Sequence, residues 1–319
     1  MKVLRFIVIG CGHMGRWHVE KMLALGQVEP AVSLVGVADV DIEAARSVVA
    51  GHPIRAVCDA RELFDEADVA IVAVPTVDHF AVVMAALEAN LDVLVEKPIA
   101  ATVAQGENLL RAARKRGRVL QVGHQEWFNP ALRVIREQIC APRFVEAHRL
   151  SFFSDRGTDI DVVRDLMIHD LDILQQLLGA APTRIDAIGT PVITSQLDIA
   201  NARLVFANGC IANLTASRVS VTPMRKIRFF QRDSYFSIDF LSQSGAIFKR
   251  LAGDAGEAPR VEMEELKIDP DDVLMAQLRA FVDVVRTRSV AGVGGSDALG
   301  ALDTALRVID AMPSVEDHQ

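Results

Sequence analysis

The stretch Leu4-Arg5-Phe6-Ile7-Val8-Ile9-Gly10-Cys11-Gly12-His13-Met14-Gly15 decides the fold of this chain. Its first half, Leu4–Ile9, is a short and nearly continuous apolar run, which is typical of a strand buried in a parallel sheet. An amphipathic segment, Gly15–Leu25, follows at once and predicts a helix. The sequence therefore predicts a strand, a glycine-rich turn and a helix in direct succession.

The glycines of this turn have the spacing G-x-G-x-x-G, which is typical of a site for the phosphates of a dinucleotide. Gly10 permits the tight turn, and Gly12 lets the backbone approach a pyrophosphate. Gly15 allows the helix to pack closely against the strand, while the amino terminus of the helix attracts negative charge. The other two residues predicted to contact the cofactor here are His13 and Met14.

An acidic residue stands at the end of the second predicted strand, Leu34–Ala38. Asp39 lies 24 residues beyond Gly15, close to the ~20 expected for a carboxylate that binds the adenosine ribose. Such a carboxylate accepts a hydrogen bond from the ribose 2′-hydroxyl and repels a 2′-phosphate, so the sequence predicts NAD as cofactor rather than NADP. The alternative is that Asp39, or its neighbour Asp41, simply caps the next helix.

Apolar runs and amphipathic segments alternate through the first ~125 residues, which predicts a doubly wound parallel sheet with crossover helices. Further strands are expected there at Ala56–Cys58, Val69–Val74, Asp92–Val95 and Arg118–Val122, with helices at Val77–Ala89 and Thr102–Arg116. The rest of the chain is rich in β-type segments, and Asn208-Gly209 is a strong signal for a hairpin. Its strands are expected at Phe144–Phe153, Arg184–Ile193, Ile199–Phe206, Cys210–Val219, Lys226–Gln231 and Tyr235–Phe240. We therefore predict an α/β protein of two domains, residues 1–125 and 126–319.

Composition excludes several classes of protein. The chain has 319 residues and a formal charge of −8, which argues against a cationic nucleic-acid binder. Its apolar runs are far shorter than the ~20 residues needed to cross a bilayer, and no secretion signal precedes the first strand. The four cysteines are widely scattered, so neither a disulfide framework nor a metal site is expected. These features predict a cytoplasmic protein.

A second candidate site follows the predicted strand Asp92–Val95, where the sequence is Glu96-Lys97-Pro98. The carboxyl edge of an open α/β sheet is where ligands bind. A lysine at this edge can place its ammonium group beside a substrate hydroxyl. The alternative is an ordinary lysine at the end of a strand, and the tripeptide alone does not separate the two interpretations.

A long helix is predicted over Val162–Leu178. At ~100° of rotation per residue, Asp165 and His169 fall on one face of it, together with Asp172 and Gln176, and most of the helix surface is apolar. An imidazole titrates near neutrality, and a carboxylate one turn away can orient it for proton transfer. The alternative is a polar stripe that faces solvent.

These motifs together resemble the glucose–fructose oxidoreductase/inositol dehydrogenase/rhizopine catabolism (Gfo/Idh/MocA) family over essentially the whole chain. The motifs that carry the resemblance are Gly10-x-Gly12-x-x-Gly15-x-x-His18, Ala73-Val74-Pro75-Thr76-x-x-His79, Glu96-Lys97-Pro98, Asn129-Pro130 and Asp165-x-x-x-His169. The resemblance implies an amino-terminal Rossmann domain that binds NAD. It also implies a carboxy-terminal α+β domain with a largely antiparallel open sheet, which binds substrate and forms homodimers or homotetramers.

The resemblance also implies roles for individual residues. His169 is expected to act as general base with Asp165 as its orienting carboxylate, and Lys97 is expected to position the substrate hydroxyl or to act as the base itself. The residues expected to line the cofactor site beyond the glycine turn are Pro75, Thr76, His79 and Glu96. By itself, His18 is expected to be a packed helix residue.

A narrower resemblance links the segments 156–170, 198–202 and 213–218 to bacterial dehydrogenases that oxidise the 3-hydroxyl of UDP-N-acetylglucosamine for lipid A synthesis. A nucleotide sugar needs its diphosphate neutralised, and arginines bind phosphate in bidentate fashion. The candidate arginines are Arg156, Arg218 and Arg225, although surface charge is the ordinary role of any one of them. Alternatives are a dehydrogenase of a free polyol or aldose, a glycoside hydrolase that retains NAD, and a non-catalytic NAD-binding sensor.

Overall fold

The computed structural model describes residues 2–154, 160–252, 258, 260–289 and 294–313. The chain forms two compact units. The first comprises Met1–Gln125 together with Asp272–Leu299, and the second comprises Glu126–Asp271 together with Gly300–Gln319. The sequence predicts one boundary, after residue 125, whereas in the structure the segment Asp272–Leu299 also joins the first unit.

The first unit contains a six-stranded, wholly parallel sheet in the order β3-β2-β1-β4-β5-β6. Its strands are β1 (Leu4–Ile9), β2 (Val32–Ala38), β3 (Arg55–Val57), β4 (Val69–Val72), β5 (Asp92–Val95) and β6 (Leu120–Val122). Its helices are α1 (His13–Val28), α2 (Ile42–Val48), α3 (Thr76–Glu88) and α4 (Val103–Arg116), with a 3₁₀ segment at Ala60–Glu66. Every predicted strand and helix of residues 1–125 is present, within a few residues at each end. The order β3-β2-β1-β4-β5-β6 is the doubly wound Rossmann arrangement.

The core of the first unit explains why Asp272–Leu299 belongs to it. This segment contains the helix α7 (Val273–Thr287), whose Leu278, Phe281, Val282 and Val285 are buried in the same cluster as Phe6 of β1. The rings of Phe6 and Phe281 meet edge to face at 6.5 Å between centroids. Such a pair adds to the stabilisation from buried area alone. The hydrophobic effect therefore attaches a segment that is remote in sequence to the first sheet.

The second unit is built on an eight-stranded sheet in the order β14-β13-β12-β11-β7-β10-β9-β8. Its strands are β7 (Phe144–Leu150), β8 (Pro182–Thr190), β9 (Ile199–Phe206), β10 (Ile211–Ser217), β11 (Met224–Gln231), β12 (Ser234–Asp239), β13 (Ser244–Leu251) and β14 (Arg260–Glu265). All neighbouring pairs are antiparallel except β7 and β10, which are parallel. The largely antiparallel sheet is confirmed, but β13 and β14 were not predicted.

The helices of the second unit cover one face of this sheet. They are α5 (Pro130–Ile135) and α6 (Ile168–Leu178), and α8 (Gly295–Asp310) closes the chain. Short 3₁₀ segments lie at Gln125–Phe128 and Arg136–Gln138. Apolar side chains of α6 and of alternate sheet positions form one buried cluster. Gly179 ends α6 with a left-handed φ of 63°, a conformation that favours glycine at the end of a helix.

The predicted long helix Val162–Leu178 differs from a regular α-helix in its first turns. Val163–Met167 forms a π-helical segment, and the α-helix begins only at Ile168. Short π segments in proteins occur frequently at functional sites. Among the described residues, no helix combines the length and the apolar character that a bilayer crossing requires.

Candidate active site

The glycine turn between β1 and α1 has the shape that a bound pyrophosphate requires. Gly10 has a φ of +91°, and a Cβ atom there would lie 2.6 Å from the backbone C and O atoms of Ala73. A Cβ atom on Gly15 would overlap the carbonyl oxygen of Gly10. Gly12 instead faces open space, since no heavy atom lies within 4 Å of its Cβ position. Two glycines are therefore required by packing, and the third leaves room for a ligand.

The amino terminus of α1 is suited to an anion. Gly12 is its N-cap, and within the described part of the chain no side chain caps this helix and no acidic residue lies in its first turn. The N–H groups of the first turn and the helix dipole are therefore available to a negatively charged group. His13 and Met14 begin the helix beside this position. These residues fit the pyrophosphate of NAD.

Asp39 follows β2 and is tied to the glycine turn. Its Oδ2 atom accepts a hydrogen bond of 2.6 Å from the backbone N–H of Cys11, and its Oδ1 atom accepts one of 2.9 Å from the N–H of Asp41. Asp41, not Asp39, caps α2, because its Oδ1 atom accepts from the N–H of Glu43 at 3.0 Å. The capping role that the sequence offered for either aspartate therefore belongs to Asp41. Asp39 lies beside the cofactor turn instead.

The start of α3 lies at the carboxyl end of β4, which is paired with β1. Pro75 is the N-cap and Thr76 is the first residue of the helix. His79 is buried, with Nδ1 2.7 Å from the carbonyl oxygen of Pro98 and Nε2 3.0 Å from that of Val74. Both ring nitrogens of His79 thus contact the protein's own backbone. These contacts fix the ring against the backbone at this strand end, and the expectation that His79 lines the cofactor site stays a prediction.

Glu96 and Lys97 follow β5, as predicted. Lys97 is half-buried, and the Lys97–Pro98 peptide bond is cis. The buried carboxylate of Glu96 lies 2.8 Å from Nε2 of His18, which is fully buried in α1. The sequence predicts His18 as a packed residue and does not reveal this partner, although the motif Gly15-x-x-His18 places it one turn from the cofactor loop.

His124 is a further buried histidine near this strand end, directly after β6. Burial lowers the pKa of His124 to about 3, and the positive charge of Lys97 acts in the same direction. The ring is therefore neutral at physiological pH. His124 was not among the predicted site residues, because a lone histidine after a short strand carries no distinguishing pattern.

In the second unit, Asp165 lies in the π-helical segment and His169 lies in the first turn of α6. Both side chains are half-buried. The carboxylate of Asp161 begins the segment, since its Oδ1 atom accepts from the N–H of Val163 at 3.0 Å and of Arg164 at 2.9 Å. The predicted spacing of Asp165 and His169 assumed a regular α-helix, and the structure places them on either side of a change in helix type.

The polar stripe predicted along this helix does not simply face solvent. Asp172 is buried, and one of its carboxylate oxygens accepts a hydrogen bond of 2.9 Å from the side chain of Gln176. A buried carboxylate retains its place only when it is hydrogen-bonded or paired. The alternative prediction, that this polar stripe faces solvent, is therefore wrong for Asp172.

A buried ionic network that the sequence does not predict lies beside this helix. The guanidinium group of Arg149 contacts Asp170 through two hydrogen bonds of 2.9 and 3.2 Å, and it contacts Glu126 at 2.7 Å. All three residues are buried. Burial by itself would lower the pKa of Arg149, but the two carboxylates outweigh this effect and raise it.

Arg225 lies beside this network, and its side chain is partly exposed to solvent. It is paired with Arg149 across β11 and β7, and its Nη1 atom lies 3.7 Å from Glu126 Oε1. Its side chain is 46% exposed. Burial and the charge of Arg149 lower the pKa of Arg225, whereas the negative charge of Asp165 acts in the opposite direction. The negative charge of Asp165 therefore acts on the guanidinium group of Arg225, and both residues belong to the second unit.

The other two predicted arginines are placed differently. Arg218 is only 4% exposed, and its Nη2 atom donates a hydrogen bond of 2.6 Å to the carbonyl oxygen of Ile160. Its Nε atom lies 3.8 Å from Asp198 Oδ1. This burial favours a structural role for Arg218 over contact with a diphosphate. Arg156 lies outside the described residues.

Comparison with known proteins is consistent with the fold and the cofactor turn. A family model described as an oxidoreductase family with an NAD-binding Rossmann fold matches residues 4–124, and the model of the Gfo/Idh/MocA C-terminal domain matches residues 132–233. UDP-N-acetylglucosamine 3-dehydrogenase of Acidithiobacillus ferrooxidans is 37% identical over 96% of each chain. The solved structure of the enzyme from that organism has a TM-score of 0.91 over 98% of each chain, at 36% identity. Inositol 2-dehydrogenase of Burkholderia multivorans is 32% identical over 55% of each chain.

The fold and the glycine turn define an NAD-dependent oxidoreductase that acts on CH–OH groups. The chain belongs to the Gfo/Idh/MocA family. The predicted family, fold class and cofactor are thereby confirmed.

Proposed function

We propose that this enzyme oxidises the 3-hydroxyl group of UDP-N-acetylglucosamine to a ketone. The observation that carries the proposal is the similarity to the A. ferrooxidans UDP-N-acetylglucosamine 3-dehydrogenase, which extends over 96% of both chains. The inositol 2-dehydrogenase of B. multivorans matches only 55% of each chain. The similarity to the nucleotide-sugar enzyme therefore includes the second unit, in which a substrate-binding domain is expected.

The proposed reaction uses residues of both units. When bound at the glycine turn, NAD⁺ supplies the acceptor for the hydride that leaves carbon 3 of the sugar. The Nζ atom of Lys97 donates a hydrogen bond to the substrate hydroxyl and so fixes its position. The imidazole of His169 removes the hydroxyl proton as general base, and Asp165 orients the imidazole. The Nζ atom of Lys97 is the alternative base.

Arg225 is the side chain best placed to bind the diphosphate of the substrate. It is half-exposed, whereas Arg218 is buried against Ile160. Arginine binds phosphate groups through parallel N–H bonds. The buried carboxylate of Glu126, 3.7 Å from Arg225, holds the guanidinium group in place without removing it from solvent.

We also propose that the enzyme is a cytoplasmic homodimer or homotetramer, formed through the uncovered face of the second sheet. The positions on this face alternate with the buried ones of β7, β11, β12 and β13. They carry a row of neighbouring aromatic rings with centroid separations of 4.2 to 5.7 Å, formed by Phe144, Phe230, Tyr235 and Phe248. These four rings are half-buried, and apolar groups that remain partly accessible on one face can form a contact surface. Sedimentation velocity of the wild type and of Tyr235→Glu tests the proposal, because only the variant is expected to be monomeric.

A substrate screen tests the proposed activity. NADH formation is followed with UDP-N-acetylglucosamine, UDP-glucose, N-acetylglucosamine and myo-inositol, each with NAD⁺ and with NADP⁺. We expect turnover with UDP-N-acetylglucosamine and NAD⁺, abolished by Lys97→Ala and retained by the control Lys115→Ala, which alters an exposed lysine of α4.

Three outcomes would contradict the proposal. Turnover of myo-inositol without turnover of the nucleotide sugar would indicate a polyol dehydrogenase. Release of UDP from the nucleotide sugar without net NADH would indicate a hydrolase that retains its cofactor. NAD binding without turnover of any of the four compounds would favour a sensor.

A further inference from the structure

Two buried histidines contact the residues on either side of Lys97. His18 comes from α1 and contacts the side chain of Glu96, which precedes the lysine, at 2.8 Å. His79 comes from α3 and contacts the carbonyl oxygen of Pro98, which follows the lysine, at 2.7 Å. All of these residues lie in the first unit.

We propose that His18 and His79 are positioning residues that hold Glu96 and Pro98 and thereby fix Lys97 for the reaction. The proposal rests on the proposed function only in that Lys97 is taken to act on the substrate. Neither histidine is expected to contact substrate, because His18 and His79 are both buried within the protein.

The surroundings of Glu96 allow its carboxylate little freedom. Gly123, directly after β6, is so close that a Cβ atom there would lie 2.9 Å from Glu96 Oε2. The backbone N–H of Glu96 donates to the carbonyl oxygen of Val72 at 2.9 Å. The remaining oxygen, Oε1, contacts His18 Nε2. Loss of the histidine therefore removes the contact that orients this carboxylate.

His79 connects two chain segments at the same edge of the sheet. Its Nδ1 atom lies 2.7 Å from Pro98 O, and its Nε2 atom lies 3.0 Å from Val74 O. A neutral imidazole has one N–H group and can donate to only one of these carbonyls at a time. We place the proton on Nδ1, the nitrogen with the shorter contact, so that the hydrogen bond holds the segment that contains Lys97.

The two helices that carry the histidines also link Lys97 to the cofactor site. α1 starts at the glycine turn and α3 starts at Pro75 and Thr76, which are expected to line the cofactor. A displacement of either helix is transmitted through one hydrogen bond to a neighbour of Lys97. A misplacement of ~1 Å at a reacting group can reduce turnover by about 10²-fold, so both contacts matter for rate.

Asparagine and glutamine substitutions separate positioning from simple packing. The amide nitrogen of glutamine can occupy the position of Nε2 of histidine, and that of asparagine can occupy the position of Nδ1. His18 uses Nε2, so His18→Gln retains the contact and His18→Asn loses it. His79 uses Nδ1 toward Pro98, so His79→Asn retains that contact and His79→Gln loses it. Glutamine is therefore the replacement expected to retain the contact at position 18, and asparagine is the one expected to retain it at position 79.

We expect kcat to fall by roughly 10²-fold in His18→Asn and His79→Gln, and to stay within a few-fold of wild type in His18→Gln and His79→Asn. The Kd of NADH is expected to change little in all four variants. The matched controls are His52→Asn and His52→Gln, which alter an exposed histidine between α2 and β3 and are expected to have wild-type kcat.

A second measurement does not depend on turnover. The protein without substrate is acetylated with an amine-reactive reagent, and labelling of Lys97 relative to the exposed Lys115 is followed by peptide mass spectrometry. Release of Lys97 is expected to increase its relative labelling in His18→Asn and His79→Gln, and not in their counterparts. If a histidine variant does not fold, Glu96→Gln keeps the shape of the side chain, weakens the bond to His18 and is expected to give the same increase.

The inference is overturned if the asparagine and glutamine variants lower kcat equally at both positions. It is also overturned if the loss of kcat across the four variants is explained by their loss of melting temperature. Unchanged labelling of Lys97 in all variants also overturns it. Absence of turnover of UDP-N-acetylglucosamine by the wild type overturns the proposed function instead, and the labelling experiment then still decides the inference.

Discussion

The carboxylate of Asp39 accepts a hydrogen bond of 2.6 Å from the backbone N–H of Cys11, between the first two glycines of the cofactor turn. The residue that is expected to bind the adenosine ribose therefore also holds the loop that is expected to bind the pyrophosphate. Burial, together with the charge of Asp39, raises the pKa of the Cys11 thiol to about 12. The thiol is consequently protonated and unreactive at physiological pH. The contribution of Cys11 to this loop is therefore the hydrogen bond that its backbone N–H donates to Asp39.

Asp39→Asn is expected to reduce the preference for NAD over NADP. The amide keeps an oxygen for the N–H of Cys11 but removes the negative charge that repels a 2′-phosphate. Loss of a hydrogen bond to a charged group costs about 1.5–3 kcal/mol, so the Kd of NADH should rise by roughly 10- to 100-fold while that of NADPH falls. Fluorescence titration of both reduced cofactors measures the change. Asp41→Asn is the control, because it affects the cap of α2, and a similar loss of selectivity in it would refute the role of Asp39.

His169→Ala is expected to lower kcat by roughly 10²–10⁴-fold, the usual contribution of general-base catalysis. The Kd of NADH should remain close to wild type, because the cofactor turn lies in the first unit and His169 in the second. Steady-state kinetics and a cofactor titration on the same sample measure both quantities. Wild-type turnover in this variant would transfer the role of base to Lys97.

The parallel sheet could be predicted from the sequence because its central strands are continuous apolar runs. β4 and β5 are buried at every position, and glycines mark the turn after β1 and the end of α4. β14 escaped prediction for the opposite reason. Its sequence Arg260–Glu265 carries four charged residues and is exposed throughout. Its two apolar residues, Val261 and Met263, are too few to identify a strand, and neither is buried. Only its pairing with β13 defines it.

The candidate site could be predicted only where its residues form local motifs. The glycine turn and Glu96-Lys97-Pro98 are contiguous, so both were found. His18 and Glu96 are 78 residues apart, and Arg149 lies 23 residues from Glu126. Nothing in the spacing of such residues indicates that they pair. Buried charges and histidines are placed by the tertiary fold, which a single sequence does not reveal.

Arg225→Gln is expected to raise the KM for UDP-N-acetylglucosamine with little effect on the Kd of NADH. The guanidinium group is half-exposed beside Glu126 and is proposed to bind the diphosphate. A hydrogen bond to a charged group contributes about 1.5–3 kcal/mol, which corresponds to roughly 10- to 100-fold in KM. Arg228→Gln is the matched control, because Arg228 lies on the same strand and pairs with Glu146. An equal increase in KM in both variants would show that general surface charge, not a specific contact, is responsible.

Asp198→Asn is expected to destabilise the protein at neutral pH and to reduce its sensitivity to acid. The side chain is fully buried, and its Oδ2 atom accepts hydrogen bonds from the N–H groups of Val192, Ile193 and Thr194 at 2.6 to 2.8 Å. Burial alone would raise the pKa of Asp198, but these bonds and that of the Thr194 hydroxyl outweigh it and hold the pKa well below its usual range.

The sign of the pH dependence follows from that shift. Because the pKa of Asp198 is lower in the folded than in the unfolded state, its stabilisation is complete above the unfolded value of about 4. It is lost as the pH falls below this value. Urea unfolding of wild type at a series of pH values should therefore show decreasing stability below about pH 4, and the difference between wild type and Asp198→Asn should shrink over the same range. A difference that stays constant with pH would show that the amide replaces the carboxylate without loss of a charge-dependent interaction.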